Sequence, residues 1–310
     1  MSVAQFPSPY PDESLGSILA RYQLRTGRRG FYEVRQDLGP VFTDATRAHQ
    51  VQYHGLQPLV EAIGYAIPLD TLLWEHTMLP YYAPSLDAPW LEKALKSAID
   101  PHGKSGVPQL QGPVQRTSAS FCPACLLADY ETYGEPYWHR LHQLPGLCTC
   151  PTHEEPLQTH CPTCNIQIPS RHALWIRCPN DHPLGRSVPA SPRVAYWQRR
   201  LAEGSDELLR AGKVLRLEVM TERYRALLQD AGFVHDGRFD SIGLQQEIHK
   251  SFGLQEPVLD TKLYNWTANL LPGNSRWPQR LVHPARHILV MQYLCNSVTA
   301  FVAFGLERMG

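Results

Sequence analysis

No run of about 18 apolar residues occurs in this 310-residue sequence, which excludes a membrane-spanning helix. The first ten residues, Met1 to Tyr10, lack the basic stretch and apolar run of a secretory signal. Neither sign of charge is in excess, with Lys+Arg 29 against Asp+Glu 29. A protein held on nucleic acid mainly by nonspecific phosphate contacts would be basic, so any such contact here is local or shared with partners. Charge is also scarce, at 19% of residues. Catalytic signatures are missing as well: there is no His-Glu-x-x-His, no complete deaminase pattern of His-x-Glu with Pro-Cys-x-x-Cys, no phosphate loop ending in Lys and no Gly-x-Ser-x-Gly.

What is present suits a globular protein. Hydrophobic residues make up 43%, while Pro (27) and Gly (21) favour many short elements and ordered turns. A chain with no export signal is expected in the cytoplasm, where cysteines stay as thiols and bind metal more often than they pair.

The pattern divides the chain into four stretches. Residues 1–100 form an N-terminal helical region: Leu15, Ile18, Leu19 and Tyr22 fall at helical spacing after Pro11-Asp12-Glu13, with Gly27 to end the helix. Further apolar stripes run Leu56, Leu59, Val60, Ile63 and Leu69, Leu72, Leu73. Residues 101–120, rich in Gly, Pro, Ser and Gln, read as a linker. Residues 121–190 hold a block of Cys and His, and residues 191–310 return to helical patterns. The fold class predicted is mainly α with a small zinc-stabilised module.

Spacing within the block carries the chemistry. Cys122-Pro-Ala-Cys125 precedes Cys150-Pro-Thr-His153, and Cys161-Pro-Thr-Cys164 precedes Cys178-Pro-Asn-Asp-His182. Each half offers three thiolates and one imidazole, a common ligand set for structural zinc, and two ions are expected. A two-residue gap lets one tight turn aim both side chains at one ion, and the Pro after the first Cys stiffens it. Cys148 and Cys295 are left over; Cys150 is preferred to Cys148 because it keeps the two-residue gap to His153. Disulfides or a redox pair are the alternatives, but a redox site needs one Cys-x-x-Cys at a helix start, not two sets completed by Cys and His. Four donors per ion leave no open position for water, so the sites scaffold rather than catalyse.

Other constellations have two readings each. Arg21, Arg25, Arg28, Arg29 and Arg35, opposed by Glu33, are either a phosphate-tracking patch or a solvated face. Residues 241–271 pattern as a helix-turn-helix whose second helix would offer Lys262, Tyr264 and Asn265 to a groove, or as an ordinary helical hairpin. Tyr137, Trp138 and His139 either stack on a partner or pack over the zinc site, the latter preferred. His283 and His287 are a metal pair by spacing, but no third ligand is near and a packing or helix-end role is preferred.

The order of motifs resembles a known family. Phe121-Cys-Pro-Ala-Cys125, Gly134-Glu-Pro-Tyr137-Trp138-His-Arg140, Leu144-Pro145-Gly146 and Cys150-Pro-Thr-His153 follow one another as in the TniQ/TnsD target-selection proteins of bacterial DNA transposons. Phe6-Pro-Ser-Pro-Tyr10-Pro-Asp-Glu13-Ser-Leu15 looks like that family's opening motif, and Trp74-Glu-His-Thr77-Met-Leu-Pro80 like its TnsD branch. The second set departs from the pattern, ending in Cys178-x3-His182 where relatives often carry another Cys pair. The resemblance implies a bacterial, non-enzymatic adaptor. It would recognise double-stranded DNA or a guide-RNA effector complex and load a TnsC-like AAA+ ATPase for transposase insertion. A zinc-containing transcription regulator acting alone is the alternative, and a zinc-dependent nuclease a third class that the closed ligand sets disfavour.

Overall fold

A computed structural model describes residues 3, 5–39, 54–100, 118–185, 196–254, 266–271 and 281–304. In chain order the described helices are α1 (Leu15–Thr26), α2 (Phe31–Leu38), α3 (Leu56–Ala62), α4 (Leu69–Glu75), α5 (Leu79–Tyr82), α6 (Ala88–Ile99), α7 (Pro123–Tyr133), α8 (Tyr196–Ala211), α9 (Leu217–Asp230), α10 (Ser241–Phe252), α11 (Pro284–Cys295) and α12 (Val298–Ala303). The strands are one antiparallel hairpin, β1 (Val234–His235) and β2 (Arg238–Phe239). The fold is mainly α, as expected. None of the described helices is long and apolar enough to cross a membrane.

The chain divides into two compact units: residues 1–79, 90–107 and 115–194 in the first, residues 80–89, 108–114 and 195–310 in the second. Helices α1–α4, most of α6 and the Cys/His block therefore share one unit. Most of the expected linker, residues 101–117, lies outside the described residues. Its last residues pack with the block: the Ser120 N–H donates to Gln143 Oε1, and Gln143 Nε2 donates back to the Ser120 carbonyl.

In the first unit α1 buries Leu15, Ile18, Leu19 and Tyr22, the stripe its spacing predicts. Ser14 caps its start by accepting from the Ser17 N–H, and Gly27 ends it in the left-handed region at φ 66°, where a Cβ would be strained. Pro11-Asp12-Glu13 forms the turn before the cap rather than the first helical turn.

That turn carries buried charge. Arg21 Nη1 lies 2.7 Å from Glu13 Oε2, and its Nε donates to Glu135 Oε1 at 2.9 Å. The guanidinium carbon sits 3.8 Å above the Tyr10 ring. Glu13 also accepts from the Tyr10 N–H and from Ser17 Oγ. Arg140, buried as well, donates to the carbonyls of Trp74 and Thr77 and to Asp12 Oδ1. Side chains from three separated sequence motifs thus satisfy one another, which is why those motifs occur together in one chain.

In the second unit α8 and α11 pack closely enough that a Cβ at Gly204 would lie 2.3 Å from Ile288. His283 caps α11, its ring nitrogen accepting from the Ala285 N–H, and His287 stacks on Tyr224. These are the helix-end and packing roles preferred over a metal pair. Helix α10 forms where the helix-turn-helix pattern places its first helix, between Asp240 and the left-handed Gly253. Lys262, Tyr264 and Asn265 lie outside the described residues. The described end of the second helix, Trp266–Asn269, is a 3-10 turn instead of α-helix, tied to α10 by Thr267 Oγ1 donating to the Ser241 carbonyl.

Glu13 makes the first unit sensitive to pH. Burial pushes its carboxyl up to about 7 and outweighs the opposing Arg21 charge and the donors around it. A folded value above the unfolded one means stability is fully present below the unfolded value and falls as pH rises through about 7. Thermal midpoints from pH 4.5 to 8 are expected to show a decline that Glu13→Gln reduces, by an amount on the order of 3 kcal/mol. Equal declines in both proteins would contradict this assignment.

Candidate metal centres

The structure brings together both sequence-predicted quartets. Cys122, Cys125, Cys150 and His153 place their ligand atoms within 4.8 Å of one another, and so do Cys161, Cys164, Cys178 and His182. In the first quartet Cys125 Sγ lies 3.7 Å from Cys150 Sγ and 3.2 Å from His153 Nδ1. His153 Nδ1 lies 3.6 Å from Cys122 Sγ and 3.7 Å from Cys150 Sγ. In the second, Cys164 and Cys178 sulfurs are 3.7 Å apart and Cys178 Sγ is 3.5 Å from His182 Nδ1. Zn–S and Zn–N bonds of a tetrahedral site imply edges of about 3.8 Å between sulfurs and about 3.6 Å from sulfur to nitrogen. The observed edges fit that polyhedron, and each quartet can hold one metal ion.

Local backbone explains how short sequences build these corners. Cys122 is the N-cap of α7, with Pro123 at the first helical position, so Cys125 falls in the first turn. Both sulfurs then sit by the positive end of the helix dipole, which favours thiolate. The other corners are tight turns. The Cys150 N–H donates to the Glu155 carbonyl, Cys161 to Ile166, and Cys178 to His182. Each turn closes through a left-handed residue: Glu154 at φ 54°, Asn165 at φ 57° and Asp181 at φ 62°. Backbone N–H groups of Thr163 and His182 point at Cys161 Sγ and Cys178 Sγ.

The electrostatics of the first quartet suit a cation. Hydrogen bonds from Cys122 and Cys150, together with burial, drive the Cys125 thiol far up, while bonds from Cys122 and Cys125 drive Cys150 down. Three sulfurs this close cannot all ionise without a positive charge among them. A divalent ion supplies it, because it binds the deprotonated thiol. Burial raises Cys161, but N–H bonds from Cys164 and Thr163 outweigh it and the thiol falls to about 7.

Cys148 is exposed and belongs to neither quartet, as the spacing argument expected, and Cys295 lies in the second unit. Trp138 is fully buried in a cluster with Phe121, Leu126, Cys161, Leu174, Cys178 and Leu184. It therefore packs against the second quartet. Its indole N–H donates to the His172 carbonyl, and its backbone N–H donates to Ser17 Oγ of α1.

Spacing gave no sign of His142. It is 2% exposed, and its Nε2 lies 3.9 Å from Cys125 Sγ. Burial lowers its pKa, so the ring is neutral and has one N–H to give toward the sulfur. Its neighbour His139, 4.9 Å away between ring centroids, bonds Asp129 Oδ2 through Nε2 at 2.8 Å. The signal available was only a His in the stretch between knuckles.

The structure gives the basic cluster of the first region more counter-charge than Glu33 alone. Arg21 is buried, and Arg25 pairs with Glu135 at 2.5 Å. Arg28 forks onto both oxygens of Asp37. The window of Arg21–Arg35 held only Glu33 as an opposing charge, and Glu135 lies 110 residues from Arg25. Arg29 is exposed, and its backbone N–H donates to Glu33 Oε2.

Residues 4–157 match the TniQ family. The match takes in the first quartet and stops just before the second. The chain is also 27% identical over 321 residues to the transposon Tn7 transposition protein TnsD of Escherichia coli, covering 96% of this chain and 59% of that protein. The chain thus spans about three fifths of the length of the curated relative it matches.

Metal analysis of purified protein is expected to give two ions per chain and one in Cys125→Ser, with the second quartet still filled. His142→Phe, which removes the donor but keeps a ring, is expected to retain both ions while weakening the first site about 10–100-fold in chelator competition. Unchanged stoichiometry in Cys125→Ser would remove that residue from the ligand set.

Proposed function

We propose that this chain, a member of the TniQ family by its residues 4–157, selects the site at which a DNA transposon inserts. The observation that carries the reading is that the family match and the buried framework coincide. The matched segment holds the Glu13–Arg21–Glu135 network, Arg140, Trp138 and the first quartet. Similarity to a Tn7 transposition protein over nearly the whole chain supports the same role.

In this role the protein breaks no bond. Two zinc ions, held by Cys122, Cys125, Cys150 and His153 and by Cys161, Cys164, Cys178 and His182, fix the loops of the first unit. One surface then meets the target, double-stranded DNA or a guide-RNA effector complex, and another nucleates a TnsC-like AAA+ ATPase, in the cytoplasm of a bacterial cell. Arg29, and the free edges of Arg25 and Arg28, remain candidate phosphate contacts, as do Lys262, Tyr264 and Asn265. With no net charge to draw on, affinity for DNA alone is modest and grows when the ATPase adds contacts.

Binding of purified, metal-loaded protein to duplex DNA, with and without the ATPase encoded beside it, tests the proposal at one fixed salt concentration. ATPase filaments that assemble on DNA only when this protein is present are the expected result. Tight binding to one defined duplex, unchanged by the ATPase, would instead identify a regulator acting alone.

A further inference from the structure

The hairpin that carries Cys178 and His182 presents a face that the fold does not use. The Leu184 N–H donates to the Ile176 carbonyl, the Cys178 N–H donates to the His182 carbonyl, and Arg177 bridges Pro183. Side chains alternate along an extended segment. Leu174, Ile176 and Cys178 accordingly pack into the cluster around Trp138. Trp175 and Arg177 leave on the other side, and the indole is 55% exposed.

Folding does not demand an indole there. Tryptophan is highly buried on average, and nothing in the turn chemistry of the hairpin needs an aromatic at that position. The sequence leading into it is free of carboxylates. No Asp or Glu occurs from Pro156 to Asn180, a stretch that contains Arg171, Arg177, His160 and His172. In a chain with 29 basic and 29 acidic residues, such a stretch is a local departure from balance. Arg171 is exposed on the turn leading into the hairpin and has no partner among the described residues. Asp181 is the one carboxylate at the face: it lies 3.3 Å from Arg177, whose Nη1 also donates to the Asp181 carbonyl. That contact holds Arg177 upright along the hairpin and leaves its side chain 53% exposed.

Resting on the reading of this protein as a DNA target selector, we propose that Trp175, with Arg171 and Arg177, docks a DNA strand whose base is unpaired or locally unstacked. The indole stacks on the open base face, and the two guanidinium groups take flanking phosphates. Stacking of this kind tolerates any base, because every base has a π-face. A protein partner fits less well: nothing on the face complements a peptide beyond the single ring, while the acid-free basic stretch complements phosphate.

The test uses the full-length, metal-loaded chain, a labelled 20-nucleotide thymidine strand, and a mixed-sequence duplex with and without a central unpaired bulge. Trp175→Ala is expected to weaken binding to the single strand and the bulged duplex about tenfold, with less effect on the perfect duplex, and Trp175→Phe to recover most of the loss. Arg171→Ala is expected to weaken all three and to reduce the salt dependence by about one phosphate contact. Two metal ions per chain in every variant shows that the hairpin is intact. Wild-type affinity in Trp175→Ala would overturn this proposal and leave target selection standing. Equal losses on all three DNAs would overturn the stacking role. Loss of ATPase assembly with DNA binding unchanged would move the face to a protein partner. Failure of the wild type to bind any of the DNAs, even with the ATPase present, would bring down both readings.

Discussion

Three thiolates and an imidazole must be held at van der Waals distance in each of two places, and the first unit is organised around that demand. Residues 118–185 contain one α-helix, α7, and otherwise only turns, bridges and a short 3-10 segment. Such a stretch has little regular secondary structure to support its core. Its core even includes ligands, since Cys161 and Cys178 lie in the same cluster as Phe121, Trp138 and Leu184. Without a cation the sulfurs repel one another as soon as they ionise. With one, apparent binding energies on the order of 10–16 kcal/mol become available to folding. A loop-rich module of this size draws on such a contribution where its core alone leaves stability marginal.

The demand propagates to the helices through Trp138. Its backbone carbonyl accepts from the Ser14 N–H at the cap of α1, and its backbone N–H donates to Ser17. On either side, Glu135 holds Arg21 and Arg25, and Arg140 holds the carbonyls that follow α4. Residues 135–140 are therefore the splice between the loops that carry the quartets and the N-terminal helices. A charged network buried this deeply is costly if any member is removed, since the partners are left unpaired in low dielectric.

How much of this could be read in the sequence depended on how local the physics was. The ligands were legible because a knuckle is a short-range object: two residues between donors and a Pro to stiffen the turn. The stripe Leu15, Ile18, Leu19, Tyr22 and the stop at Gly27 were legible for the same reason. The ion partners of the arginine cluster were not legible, because Glu135 above all is distant in sequence and close only after folding. Trp138 was placed correctly over the metal-binding block, but its bonds to α1 depend on tertiary structure, and so does the approach of His142 to Cys125. In the second unit the apolar period announced α10, whereas the Trp266–Asn269 turn kept the right apolar residues in another backbone form, a distinction that periodicity over four residues cannot make.

The central claim is that metal in the two quartets sets the structure of the whole first unit, α1 included. Amide hydrogen exchange on the wild-type chain, before and after removal of metal by a chelator, tests it directly. The account predicts that protection disappears together across residues 118–185 and at Ser14 to Tyr22. Protection that survives metal removal at Ser14 to Tyr22, or across the knuckles themselves, would contradict it.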